Sequence, residues 1–562
     1  MSFRRKFADE PSAATPDGFH GNKKMRLTLP AISSLTRHCV AATLAAGLAT
    51  VAGAIAMPVP GDLDPAFALG TGKIANLAIS AASDSVSAVA IQPDGKIVLA
   101  GKCYNGSNND FCVARLNADG TLDASFTGPA GIYAGKFLLP VGAEDDVVAA
   151  IVLQPDGKII LAGYCGNGVN ADFCVARLNS NGSRDASFGG PGGAGNGAFP
   201  LSIGFSNDIG TSVALQPDGK ILLGGYCDNG SNFDFCAARL NADGSFDASF
   251  VGPGGNGNGR FLLPIGATQD YATALLLQPD GRIVLSGYCI GAMNDQDFCV
   301  ARLNADGSLD AAFDGPTGVG NGKFLLPVGT SGDYAYAAML QPDGNIVIAG
   351  SCINGATYDF CATRLLGATG AFDQSFVGPA GNGNGKFMLP IGTFSDVANA
   401  IAQQPDGKIV LAGYCYSATG ADFCVARLNG DGSFDSTFDG PANTGNGKFL
   451  VPIGTLDDFA NAMTIQPDGK IVVAGYCGNG SNDDFCVARL NGGPFGYKSC
   501  SMDIDGDGKV QATTDALLIT RAMLGMSGNA VVAGAVGVGA SRTTWAQIRA
   551  YLTTQCGMTL AQ

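Results

Sequence analysis

Residues Gln154–Asn179 read QPDGKIILAGYCGNGVNADFCVARLN, and the stretch recurs seven times, each copy opening on Gln-Pro-Asp-Gly at Gln92, Gln154, Gln216, Gln278, Gln341, Gln404 and Gln466. Successive copies lie 62 or 63 residues apart. A near-constant period of this length marks an array of supersecondary units. Inside one unit, Val147–Gln154 and Lys158–Cys165 are apolar runs on either side of Pro155-Asp156-Gly157. Proline presets φ at the first central position of a tight turn and glycine accepts the positive φ that follows, so the pair reads as a hairpin. A third run, Asp172–Asn179, follows a Gly/Asn loop, and a fourth, Gly197–Gly204, follows a polar, glycine-rich crossing.

Four short antiparallel strands per repeat suit a β-propeller blade. Solenoid coils take roughly 20–45 residues per repeat, less than this period. Fourth strands begin at Gly72, Gly135, Gly197, Gly259, Gly322, Gly385 and Gly447; the first precedes every QPDG unit, and the last unit ends at Asn491 without one. Strand Gly72–Ile79 is therefore expected to complete the last blade and remove the unpaired sheet edges. The expected fold is all-β: a seven-bladed propeller over 57–491 closed by an N-terminal strand, a linker over 492–499, and a small α-helical calcium-binding module over 500–562.

The segments Gln92–Gly101 (QPDGKIVLAG) and Asp110–Phe126 (DFCVARLNADGTLDASF) resemble the delta-60 repeat of secreted bacterial proteins, a propeller-type repeat, over roughly Asp62–Asn491. The resemblance implies the fold and an extracytoplasmic location and supplies no activity. This chain departs from it by carrying a cysteine pair in every copy.

Residues 1–56 read as a targeting segment. Lys23, Lys24, Arg26 and Arg37 precede the uncharged run Cys39–Ala56, which ends in the small-x-small pattern Ala54-Ile55-Ala56. Eighteen residues diluted with Ala, Gly and Thr make a poor membrane span, so cleavage is favoured over a retained anchor, and no other stretch looks like a span. The segment holds seven basic and three acidic residues, so its removal takes the net charge from −15 to −19. It also removes His20 and His38, the only histidines, and leaves Glu144 as the single glutamate. Such an acidic chain is a poor partner for nucleic acid or anionic membranes.

Of 17 cysteines, 14 form seven near-sequence pairs: Cys103 with Cys112, Cys165 with Cys174, Cys227 with Cys236, Cys289 with Cys299, Cys352 with Cys361, Cys415 with Cys424, and Cys477 with Cys486. Cys500 and Cys556 bracket the C-terminal region and Cys39 leaves with the targeting segment, so sixteen remain for eight disulfides. No CxxC or histidine accompanies any pair, which disfavours metal ligation. Three charged positions also recur sevenfold: an aspartate eight residues before each QPDG (Asp84 in the first copy), one before the third-strand Phe (Asp110) and a third-strand arginine (Arg115). Sevenfold repetition assigns them to blade-to-blade bonding, since buried charges need partners. In Asn304–Asp310 and its equivalents, oxygens at alternating positions suit either calcium or Asx-turns.

After the linker, Asp503-Ile-Asp-Gly-Asp-Gly-Lys places carboxylates at loop positions 1, 3 and 5, the oxygen-rich spacing calcium favours. Helices are expected over Asp515–Leu524 and Thr544–Leu552, the second with a capping box between Thr544 and Gln547. The segment resembles one calcium-loop half of a dockerin, which implies Asp503, Asp505, Asp507, the Lys509 carbonyl and Asp515 as Ca2+ ligands. It departs from that family in having no second calcium loop and in placing Asp515 at loop position 13.

The repeats differ most in the loops after the second and fourth strands, which emerge on one face of a propeller. Those loops carry Tyr104, Phe233, Ile290, Met293, Tyr358 and Tyr416, with Tyr271, Tyr334 and Phe459 at nearby first-strand starts. Such side chains on a Gly/Asn/Ser rim are what an interaction surface uses. The expected function is therefore a non-enzymatic propeller, secreted, at the cell surface or in the periplasm, that binds an extracellular protein or glycan. The competing class is a carbohydrate-active hydrolase or lyase working through aspartates, because loss of both histidines excludes a Ser-His-Asp site.

Overall fold

In the first QPDG turn the Gln92 amide donates to the Lys96 carbonyl and the Gly95 amide to the Gln92 carbonyl, both at 2.8 Å. Gly95 takes φ of 84°, where a Cβ would be penalised. The turn joins Asp84–Ile91 to Ile97–Tyr104, and the chain continues through Asn109–Leu116 to Lys136–Leu139. These four strands form one antiparallel sheet in that order. The computed structural model describes residues 59–493 and 503–552, except 132–133, 194, 256, 292–294, 382, 442–445, 508, 510, 512, 525 and the side chains of 523 and 550. Segment 1–56, Met293, most of the linker, Cys500 and Cys556 lie outside the described residues.

Seven four-stranded sheets make a seven-bladed propeller. Six take all their strands consecutively; the seventh takes Asp458–Ile465, Ile471–Gly478 and Asp483–Leu490, with Lys73–Leu77 antiparallel to the last of these. Among the described residues no helix is long and apolar enough to cross a membrane.

The core lies in the seams between blades. Phe111, Phe126 and Phe137 of the first blade pack with Val148, Ile159 and Leu161 of the second, and the pattern recurs around the disc. Second and third strands are buried almost throughout because both their faces meet a neighbouring blade. Each first strand bulges by one residue, as between Val148 and Ala150. The second strand approaches that bulge so closely that a Cβ on Gly163 would lie 1.9 Å from the Val147 carbonyl oxygen. This fixes the glycine of the recurring Ala-Gly-Tyr-Cys segment.

All seven cysteine pairs within the repeats are bonded. Cys103 joins Cys112, Cys165 joins Cys174, Cys227 joins Cys236 and Cys289 joins Cys299. Cys352 joins Cys361, Cys415 joins Cys424 and Cys477 joins Cys486. Their Cα atoms lie 5.6–5.8 Å apart. Each bridge runs diagonally between adjacent strands: Cys103 faces Asp110, while Gly101 faces Cys112. The eighth expected pair, Cys500 with Cys556, falls outside the described residues.

The recurring arginine is a clamp. Arg115 donates through Nε to Asp123 at 2.8 Å, stands 4.4 Å over the Phe126 ring, and donates to the Ser180 carbonyl of the next blade. Its carboxylate partner belongs to the crossing, not to either aspartate set recognised in the strands. In the last blade that partner comes from the N-terminal segment: Arg489 binds Asp64 at 2.7 Å, lies 4.6 Å over Phe67, and donates to the Ala118 carbonyl. The crossing loops hold Asx-turns, as where the Ser308 amide donates to Asp306 at 2.9 Å.

The C-terminal module has helices Asp515–Met523 and Trp545–Ala550, with the capping box between Thr544 and Gln547, and a four-residue helix Asn529–Val532 that the sequence pattern did not indicate. Its own small core contains Ile504, Leu518, Val531, Ile548 and Leu552.

Because Arg489 is buried, Asp64→Ala is expected to cost about 3–5 kcal/mol of stability in denaturant melts. Asp119→Ala, which removes an exposed Asx-turn, should cost under about 1 kcal/mol. Equal melts for the two variants would refute the clamp.

Candidate binding face

The loops on the face singled out above are each pinned by a buried aspartate. Asp146 accepts from the Val141 and Gly142 amides at 2.7 and 2.9 Å and so holds the loop leaving the first blade's fourth strand. Asp84, Asp208, Asp270, Asp333, Asp396 and Asp458 do the same at the other seams. The third-strand aspartate pins the other loop: Asn105 donates to Asp110 at 2.8 Å, and Asn167, Asn229, Asn354 and Asn479 repeat this.

Neighbouring loops are then tied across every seam. The Asn109 amide donates to Asp145, Ala171 to Asn207, Phe233 to Gln269, Gly332 to Asp295, Tyr358 to Ser395, Ala421 to Asp457 and Asp483 to Ser83. The loops form a frame. Burial pushes the carboxyls of Asp146, Asp208, Asp270 and Asp396 up to about 6, and the third-strand aspartate of the preceding blade adds to the shift. Asp84, Asp333 and Asp458 shift the same way, burial again leading.

The structure gathers most of the expected partner residues into two aromatic runs. Phe233 packs on Tyr226 at 5.3 Å and Tyr271 at 5.9 Å; Tyr271 stacks on Tyr288, which meets Tyr334, and Tyr334 meets Tyr358 at 5.9 Å. Tyr416 packs on Tyr414 at 5.9 Å and Phe459 at 6.3 Å, and Phe459 stacks on Tyr476. Tyr104 and Tyr416 are exposed, whereas Phe233, Ile290 and Tyr358 are half-buried. Sequence reading passed over the second-strand tyrosines Tyr226, Tyr288, Tyr414 and Tyr476, although a Tyr before the second-strand cysteine in five of the seven copies was the available signal. It also passed over Val169, Phe205, Phe394 and Leu456 on the same loops, of which Val169 is 94% and Phe205 82% exposed.

The first strands line an axial channel of about 260 Å3 without a charged residue. The bulged position there varies: Ser87, Ala149, Thr211, Thr273, Tyr336, Asn399 and Asn461. Thr211, Thr273, Asn399 and Asn461 donate to the carbonyls of Ala272, Ala335, Ala460 and Val86 in the next blade at 2.8–3.0 Å. Burial pushes Tyr336 up to about 12, so it stays protonated.

In the C-terminal module, carboxylate oxygens of Asp503, Asp505 and Asp507 lie within 4.8 Å of one another. The loop folds on itself: Asp503 accepts from the Gly506 and Asp507 amides, and Asp507 accepts from the Lys509 amide at 2.8 Å. Asp515 accepts from the Ile504, Asp505 and Gln511 amides. Burial opposes its ionisation, but those bonds outweigh it and hold the carboxyl below its usual range.

A family model described as a domain of unknown function (DUF5122) beta-propeller matches residues 92–126, 154–188, 216–250, 278–313, 404–438 and 466–492. Each match starts at a QPDG turn; the fifth repeat, which has Asn345 where the others have Lys or Arg, is not among them. No curated protein matches. Among solved structures, puromycin hydrolase is similar at 15% identity and TM-score 0.38 over 75% of this chain, which spans about half (52%) of that one. Sqt1 from Chaetomium thermophilum, bound to the N-terminus of the ribosomal protein L10, matches at 13% identity and TM-score 0.33, covering 71% of this chain and 85% of its own. An ulvan lyase of polysaccharide lyase family PL25 matches at 13% and 0.37, covering 75% and 96%.

The seam carboxyls titrate near about 3.9 when unfolded and, for four of them, about 6 when folded. Folding favours their protonated form, so the stability they contribute is complete below the unfolded value and lost as pH rises through the folded one. The clamp aspartates Asp123, Asp185 and Asp247 are held low; burial opposes this, but serine and arginine contacts outweigh it. Their contribution is lost on acidification below about pH 4. The melting temperature is expected to peak between about pH 4 and 5 and fall towards pH 7. Asp208→Asn should flatten part of that fall. A midpoint rising steadily to pH 7 would overturn the assignment.

Proposed function

We propose that the protein is an exported, non-enzymatic β-propeller that holds an extracellular protein or glycan on its loop face. The observation that carries this reading is the concentration of Tyr104, Val169, Phe205, Phe394, Tyr416 and Leu456, all exposed, on loops tied together on one face. Large apolar groups on a rigid polar frame lose little entropy on binding and form interface cores. Seven buried disulfides support an oxidising compartment, cell surface or periplasm, reached through a signal over 1–56. On this reading the blades are delta-60 repeats and strand Gly72–Ile79 closes the ring.

Hydrolase or lyase chemistry through aspartates fits less well. Most of the recurring aspartates are committed to loop amides, Asx-turns or arginine clamps, and the channel lining holds no carboxylate. A glycosidase needs two carboxyl groups facing a substrate.

The C-terminal module, in the same proposal, binds one calcium ion through Asp503, Asp505 and Asp507, with the Lys509 carbonyl and Asp515 completing the dockerin-like set. Three adjacent carboxylates fit a hard dication that relieves their repulsion.

Glycan-array and extracellular-protein screens of the purified chain should yield a ligand. A Tyr104→Ala, Phe205→Ala, Tyr416→Ala variant should bind it at least about tenfold more weakly, at 1.4 kcal/mol per decade, with an unchanged melt. Polysaccharide turnover abolished by one Asp→Asn change would establish the enzyme instead. Calorimetry should show calcium uptake weakened at least tenfold by Asp505→Ala while the propeller melts as before; identical uptake would refute the ligand set.

A further inference from the structure

The outermost strands carry a sevenfold device that one seam lacks. At six seams a cation near the fourth strand donates to a main-chain carbonyl of the preceding blade. Lys73 bonds Pro452, Lys136 bonds Ala78, Arg184 bonds Pro140, Lys323 bonds Pro264, Lys386 bonds Pro327 and Lys448 bonds Pro390. In the second blade Ala198 stands where the others have a cation, and Arg184 from the crossing substitutes for it. The third blade has Arg260 at this position. The carbonyl it would meet belongs to Ser202, because Pro200 has moved two residues upstream.

Among the described residues the Arg260 side chain has neither an ion-pair nor a hydrogen-bond partner; its guanidinium stands 4.7 Å over the Phe246 ring. Lys386 and Lys448 stack in the same way, at 5.6 Å over Phe372 and Phe434, yet also bond their carbonyls. Arg260 is exposed and faces a cleft of about 470 Å3 between the second and third blades. Ala198 lines the same cleft with no more than a methyl group. Gly189, Gly190, Gly192 and Gly195 also line it; Gly189 and Gly195 bond each other, and the exposed Gly192 leaves its main chain within a ligand's reach. Asp208 feels the cation but is held by the Ile203 and Gly204 amides.

We propose that this cleft binds a carboxylate-bearing sugar, a hexuronate unit of an acidic glycan, with Arg260 taking the carboxylate. A guanidinium offers five donors in a planar fork that matches a carboxylate bidentately, and stacking on Phe246 presets its plane. The volume lies in the range of small-molecule clefts, roughly 300–1,000 Å3. The exposed glycine main chain suits hydroxyls, while Pro191, Pro200 and Phe246 offer the apolar faces on which a sugar ring packs. The cleft lies on the outermost strands, apart from the loop face, and stands whether or not that face binds a partner.

The test is titration of the full chain, in chelator so that calcium cannot bridge, with a trimer of β-1,4-linked glucuronate, with uncharged cellotriose and with triglutamate. The glucuronate trimer alone should bind, more weakly as salt rises. Arg260→Gln should weaken binding at least tenfold with an unchanged melt, and Arg260→Lys should restore it only in part. Failure of the wild type to bind the trimer, equal binding of cellotriose or triglutamate, or full binding by Arg260→Gln would each overturn the proposal.

Discussion

The propeller depends on a buried guanidinium placed at every seam. Moving an arginine out of water costs several kcal/mol unless its charge and donors are met. Here one aspartate, one phenylalanine face and one carbonyl of the next blade meet them together. The clamp couples three parts of the structure at once: the third strand, the crossing that returns to the rim, and the neighbouring blade. A blade that lost its neighbour would expose apolar surface and also strand a charge. The seams therefore form cooperatively, and hydrophobic packing alone would not set the rotation between blades so narrowly.

Blade count, strand order and the cysteine pairs were legible because each follows from local chemistry repeated at a fixed interval. Proline and glycine mark the turns, strand lengths follow the apolar runs, and half-cystines nine or ten residues apart meet across one hairpin. The acceptor of the clamp was not legible. Asp123 stands eight residues from Arg115 inside a polar crossing that also reads as an Asx-turn, and nothing in its spacing distinguishes a buried carboxylate from a solvated one. The short helix Asn529–Val532 was missed because four residues carry no periodicity. The aromatic runs were half legible. Tyr271 and Tyr334 stood out as departures from the consensus, whereas the second-strand tyrosines were hidden by being the consensus.

Repetition and departure carry different information in such a molecule. Positions identical in every copy proved to be joints: the seam aspartates, the clamp, the close-packed glycine. Departures fall on surfaces the joints do not need, namely the loop face, the channel bulge and the outermost cleft at Ala198 and Arg260. A symmetric frame tolerates them because each bulge or rim residue contacts one neighbour, so an exchange is felt at one seam only.

The pairing of Lys73–Leu77 with the last blade has a consequence for the order of assembly. Asp64 and Arg489 are 425 residues apart, so the first part of the propeller to be synthesised is the last to find its place. Until then the waiting strand meets six near-identical third strands, each a plausible wrong partner. Each of those has its own fourth strand tethered about twenty residues away, and loop closure over so short a tether outcompetes a distant rival. Only the seventh third strand emerges with no tethered competitor. Mispairing is thus avoided by proximity, without any difference in the pairing sequence itself.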